Sequence, residues 1–232
     1  MSTAPSRFWR DEFWQRWVLA NALGEFVGLG TVAAVGFLVF QRAGEPSNAA
    51  QAIALAAGFV FLGAFEGLVI GVAQRQVLRT RLPAVRGWVL ATIAGAVIAW
   101  AIGMVPSTVM SLVPQEPGAA PPQPPLALVL LLAAAMGAVA GPLLAAPQWL
   151  CLRRVLMGKA WLWLPANAAA WALGMPVIFL GAQADELTSS AAGIAALVGL
   201  AIFVAGAVVG AVHGRILLGL LSPGATARPV SP

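Results

Sequence analysis

Apolar residues run almost unbroken six times along the chain, near 14–40, 52–77, 87–112, 126–152, 161–181 and 191–220. Each run has about the length a helix needs to cross a hydrocarbon core of roughly 30 Å. The pattern predicts an all-α membrane protein with six transmembrane helices. The first and last runs exceed that length, so those helices are expected to tilt or to extend past the membrane.

Composition agrees. Of the 232 residues, 60% are hydrophobic and only 9% charged, against about 25% charged in soluble domains. The net charge of +5 could suggest a nucleic acid, but its distribution argues otherwise. Arg7, Arg10 and Arg16 precede span 1. Arg75, Arg79, Arg81 and Arg86 join spans 2 and 3. Arg153, Arg154 and Lys159 join spans 4 and 5, and Arg215 and Arg228 close the chain. The opposite side carries only Arg42 among the basic residues, with Glu45, Glu116, Asp185 and Glu186. The positive-inside rule then places both termini in the cytoplasm. Orientation accounts for the basic residues, so no nucleic-acid partner is inferred. Residues 1–13 are polar and aromatic and span 1 is too long for a signal h-region, so no cleavable signal peptide is expected. SRFWRDEFWQRW reads as an interfacial lead-in, with Trp9, Phe13 and Trp17 resting among headgroups. The Pro-rich segment 113–125 is expected to be an extended outer spacer. Residues 221–232 are expected to form a disordered cytoplasmic tail.

The spans repeat. FEGLVIGVAQRQVLR (65–79), VAGPLLAAPQWLCLR (139–153) and VAGAVVGAVHGRILL (204–218) share one pattern. So do RWVLANALGE (16–25), GWVLATIAGA (87–96) and LWLPANAAAW (162–171). The second set opens the odd spans and the first closes the even ones. The domain 14–220 therefore reads as three helical hairpins, about 14–79, 87–157 and 161–220, arranged with pseudo-threefold symmetry. Trp17, Trp88 and Trp163 correspond, each expected at the cytoplasmic interface that indole prefers. Gly67, Gly141 and Gly206, followed four residues later by Gly71, Ala145 and Gly210, give small-xxx-small spacing, which lets helices approach closely in lipid. Gly63 extends the series in span 2. Asn21, Thr92 and Asn167 lie about one turn inside the cytoplasmic boundary. Gln74, Gln148 and His213 share one position at similar depth on the returning helices. These six form either a polar layer or three pairs, each fastening its own hairpin.

Glu25 lies nine residues past Arg16, and Glu66 nine before Arg75. Both are therefore about 13–14 Å from the cytoplasmic edge, near mid-bilayer. The repeat places Ala96, Trp171, Ala140 and Ala205 at equivalent positions, so the template does not require carboxylates there. An acidic residue at that depth costs roughly 2.5–3.5 kcal/mol on insertion scales. The pair is a candidate proton or cation site; the alternative is two protonated carboxyls bonded to backbone or to each other.

Other chemistry is narrowed by residue type. His213 is the only histidine, which excludes a haem with two histidine ligands and a multi-histidine zinc site within this chain. Lys159, the only lysine, falls in a loop, which excludes a retinal Schiff base. A magnesium pigment remains open on residue type alone. Cys151, the single cysteine, cannot form an internal disulfide and reads as a packing residue. GxSxG, HExxH, GxxxxGK[ST] and CxxC are missing, so no enzyme and no cofactor is expected.

The segments GPLLAAPQWLCLRR and GWVLATIAGAVIAWAIG resemble a loosely defined set of small bacterial multi-pass membrane proteins. Their recurring pattern is G-x-x-x-G-x-x-Q-W-x-x-L-R followed by W-V-x-A-x-x-x-G. Gln148, Trp149, Leu152 and Arg153 match best. Arg75 replaces the tryptophan in hairpin 1. In hairpin 3, His213 replaces the glutamine and Leu218 the terminal arginine. The resemblance implies the architecture and a bacterial plasma membrane, and no activity. The mitochondrial-carrier signature P-x-[DE]-x-x-[KR] is absent. The expected function is non-enzymatic: an accessory or binding role toward lipid, a hydrophobic small molecule or partner membrane subunits, with a homo-oligomer possible. The competing expectation is a small-solute, proton or cation transporter or channel using Glu25 and Glu66.

Overall fold

The computed structural model describes residues 11–112, 124–156 and 158–221. The segment 1–10, most of the Pro-rich loop and the tail beyond 221 lie outside the described residues. Among the described residues the protein is all helical. The helices are α1 (Glu12–Ala43), α2 (Ala49–Leu78), α3 (Trp88–Leu112), α4 (Leu126–Leu152), α5 (Trp163–Gly181), the short α6 (Ala184–Leu187) and α7 (Ala191–Leu220). A 3-10 turn, Ala160–Leu162, leads into α5. Six of these helices are long and apolar enough to cross a membrane.

Side-chain caps fix three helix starts. Asp11 accepts from the Phe13 amide at 2.9 Å, Asn48 from Gln51 at 3.0 Å and Ser190 from Gly193 at 3.3 Å. Each satisfies an otherwise unpaired amide of a first turn. Gly87 and Gly158, at φ +75° and +76°, occur in the turns before α3 and α5, where only glycine adopts such backbone without strain. Pro106, Pro142, Pro147 and Pro176 sit inside continuous helices, as membrane helices tolerate.

The six long helices close into a ring: α1 packs on α2, α2 on α3, α3 on α4, α4 on α5, α5 on α7, and α7 back on α1. Neighbours are antiparallel, since Gly24 and Gly28 of α1 meet Ile70 and Glu66 of α2. The start of α1 therefore lies beside the end of α7, and Gly214 abuts Trp17.

Gly67, Gly141 and Gly206 look toward the next helix rather than the hairpin partner. A Cβ at Gly67 would lie 3.0 Å from the Thr92 carbonyl oxygen of α3, and one at Gly206 would lie 2.8 Å from that of Asn21 on α1. A Cβ at Gly141 would collide with the Asn167 carbonyl of α5. These approaches join α2–α3, α4–α5 and α7–α1, the last of which is linked by no loop, while Gly95 comes equally close to the Leu144 carbonyl across the α3–α4 hairpin.

The tryptophans correct the interfacial expectation. Trp17, Trp88 and Trp163 are wholly buried, with exposures of 0%, 1% and 0%. Phe13 is buried with them. Ring closure brings the three indoles together inside the bundle, where they fill the space between six helices. Burial is tolerated because each indole N–H finds an acceptor.

Candidate functional site

Trp17, Trp88 and Trp163 lie at the end of the bundle that carries the basic residues. Their ring centroids are 6.0–6.3 Å apart in all three pairings. Each indole donates to the polar residue of the even-span helix beside it. Trp88 Nε1 reaches Gln74 Oε1 at 3.1 Å, Trp163 Nε1 reaches Gln148 Oε1 at 3.0 Å, and Trp17 Nε1 reaches His213 Nδ1 at 3.0 Å. These bonds span α2–α3, α4–α5 and α7–α1, the same pairs that the small residues bring close.

One turn deeper lie Asn21, Thr92 and Asn167. Each donates back to the carbonyl of its own tryptophan, at 2.7, 2.9 and 2.8 Å. Gln74 Nε2 donates to Asn21 Oδ1 at 2.8 Å, and Gln148 Nε2 to Thr92 Oγ1 at 2.9 Å. Gln148 Nε2 also approaches Gln74 Oε1 at 3.3 Å. The structure therefore brings the predicted polar residues together, with bonds both inside the hairpins and across them. Among the described residues, no hydrogen bond joins His213 to Asn167. Imidazole has one acceptor nitrogen in its neutral form, and Trp17 uses it at Nδ1, which leaves the proton on Nε2.

Glu25 and Glu66 sit a turn or two farther from the basic end, exposed by 3% and 6%. Glu66 Oε2 accepts from Trp100 Nε1 at 2.9 Å. Glu25 Oε2 is buried without a hydrogen-bond partner. Both carboxyls, together with the six polar residues above, line a small void of about 30 Å³. Such a volume holds one water, or an ion of that size, and no organic molecule. Among the described residues no group of three or more His, Cys, Asp or Glu converges as a metal cage.

No known relative fixes an activity for this arrangement. No family model, no curated protein sequence and no solved structure matches the chain. Function has to be argued from the geometry.

Sequence reasoning missed two features. Trp100 lies three turns past Trp88, where the same distance past Trp17 and Trp163 gives Leu29 and Met175, so only that spacing could have pointed to it. The second is an open cleft of about 600 Å³ at the basic end, between α5 and α7. It is lined by the small side chains Ala166, Ala169 and Ala211, by Trp14 and Leu162, and by Arg215. Trp14 is held there by its indole N–H, which donates to the Ala211 carbonyl at 3.1 Å.

Proposed function

We propose that this chain is a non-enzymatic, multi-pass protein of the bacterial plasma membrane that binds an anionic phospholipid in the α5–α7 cleft. The reading includes cytoplasmic termini and three copies of one hairpin about a pseudo-threefold axis. Positive-inside charge supports the orientation. The matched Trp–Gln, Trp–Gln and Trp–His bonds support the repeat.

The cleft is the observation that carries the binding role. Its volume falls within the range of about 300–1,000 Å³ typical of ligand sites, and its lining is almost wholly apolar. Its one cationic residue, Arg215, sits near the end of α7. Basic pockets between membrane helices at the cytoplasmic face suit anionic headgroups. Transport is the second reading, supported by the void at Glu25. Weighing against it, three buried indoles in edge-to-face and tilted contact lie between that void and the basic end.

Native mass spectrometry of protein extracted in its own lipids tests the proposal. The expected result is a retained anionic phospholipid that Ala169→Trp, at a lipid-exposed position filling the cleft, displaces while helicity is unchanged. Arg215→Gln should shift retention toward zwitterionic lipid. A lipid-free protein, or identical adducts in Ala169→Trp, would overturn the reading. A bound protein subunit in place of lipid would redirect it to an accessory role.

A further inference from the structure

The void beside Glu25 is independent of the lipid cleft and is built differently from the rest of the bundle. In the first two repeats the glutamine amide reaches the layer residue directly: Gln74 bonds Asn21 and Gln148 bonds Thr92. In the third, histidine stands where glutamine would, and the direct bond to Asn167 is missing. The Glu25 Oε2 atom is buried there without a partner, and the Asn167 Oδ1 atom and the Nε2–H of neutral His213 belong to side chains that line the same water-sized space. A water there can donate to the two oxygens and accept from His213, which satisfies all three. Buried waters characteristically make about three such bonds.

The carboxyls bound the same space. Glu66 packs against Gly28, one turn along α1 from Glu25. Glu25 on α1, Glu66 on α2 and His213 on α7 are the titratable groups that line it; α3, α4 and α5 contribute only uncharged side chains. Two carboxylates in one site without a cation repel, and retaining one proton between them removes that cost. Trp100 donates to Glu66, which favours Glu66 as the acceptor and Glu25 as the protonated partner.

We propose that the void is an internal proton-binding site, in which Glu25 and Glu66 hold one proton and a bound water links Glu25 to Asn167 and His213. The proton remains on carboxyl oxygen, and no covalent bond other than O–H is made or broken. A monovalent cation is the competing occupant. The Nε2–H of neutral His213, a lining residue of the space, argues against it, since a donor there would be set beside a positive charge.

Infrared difference spectroscopy on the intact protein in lipid nanodiscs, titrated with pH, tests this. The expected result is a carboxylic-acid carbonyl band at neutral pH that shifts in heavy water and is lost in Glu25→Gln/Glu66→Gln. His213→Gln restores the residue of the other two repeats, so the amide can reach Asn167 directly. That variant should keep the fold and shift the band as Glu25 loses its water. A band absent from wild type at neutral pH would overturn the proposal. So would a band that disappears when sodium replaces choline at fixed ionic strength, because the site would then bind a cation. A band unmoved by His213→Gln would remove the water link.

Discussion

Gln148 is the side chain whose loss should weaken the bundle most specifically. It donates to Thr92 at 2.9 Å on α3 and accepts from Trp163 at 3.0 Å on α5, with a longer contact to Gln74 at 3.3 Å. Interhelical hydrogen bonds in membranes average about 0.6 kcal/mol and reach about 1.7. Two good bonds therefore put Gln148→Leu at about 1–3 kcal/mol of destabilisation. Trp163→Phe removes one of those bonds, so a double-mutant cycle should give a coupling of about 0.6–1.7 kcal/mol. Reversible unfolding in mixed SDS micelles, followed by circular dichroism, measures all three variants. Phe61→Ala is the control: Phe61 is 76% exposed, on the lipid-facing surface, and its loss should cost less than about 0.5 kcal/mol. Independent sites add within about 0.3–0.5 kcal/mol. A coupling under about 0.3 kcal/mol would mean that the indole–amide bond does not fasten α4 to α5. The account of the polar layer would then fail.

Two further outcomes follow from the packing. Gly141→Ala should destabilise by about 1–3 kcal/mol, the range for overpacking, because its Cβ collides with the Asn167 carbonyl, whereas Gly30→Ala, with open space around it, should be neutral or slightly stabilising; the same unfolding assay ranks them. A circular permutant that links the end of α7 to the start of α1 and opens the α2–α3 turn should insert and keep near-native helicity, since Gly214 already abuts Trp17; failure to accumulate in the membrane, with the linker length varied, would refute the closed ring.

The six spans were legible because length and apolarity alone decide whether a helix can cross hydrocarbon. The close approaches at Gly67, Gly141 and Gly206 were legible as spacing. Which neighbour they meet was not. A pattern repeated in every second helix is equally compatible with the preceding and the following odd helix, and only ring closure selects Thr92, Asn167 and Asn21. The tryptophans were misread for a related reason. Indole has an apolar body and one donor, and two environments satisfy it: a headgroup interface, or a core with an acceptor in place. Gln74, Gln148 and His213 supply that acceptor, so the decisive signal lay in the pairing of two repeated positions. Neither position carried it alone.

The buried ionisable residues that break the similarity between the segments cluster on one side of the ring. Glu25, Glu66 and His213 lie on α1, α2 and α7, three consecutive members of the ring, and all three line one void. The positions equivalent to Glu25 are Ala96 and Trp171, and those equivalent to Glu66 are Ala140 and Ala205. Glutamine in place of His213 would reach its neighbour directly, as Gln148 does. The template residues would therefore complete the scaffold with fewer buried ionisable groups and no orphaned oxygen at Glu25. Each carboxyl instead adds a cost of roughly 2.5–3.5 kcal/mol at this depth. A cost incurred on two adjacent helices and directed, beside His213 of a third, into one water-sized space has no explanation in packing. The proposed proton site would account for that cost, since departures from local consistency are expected where function demands them.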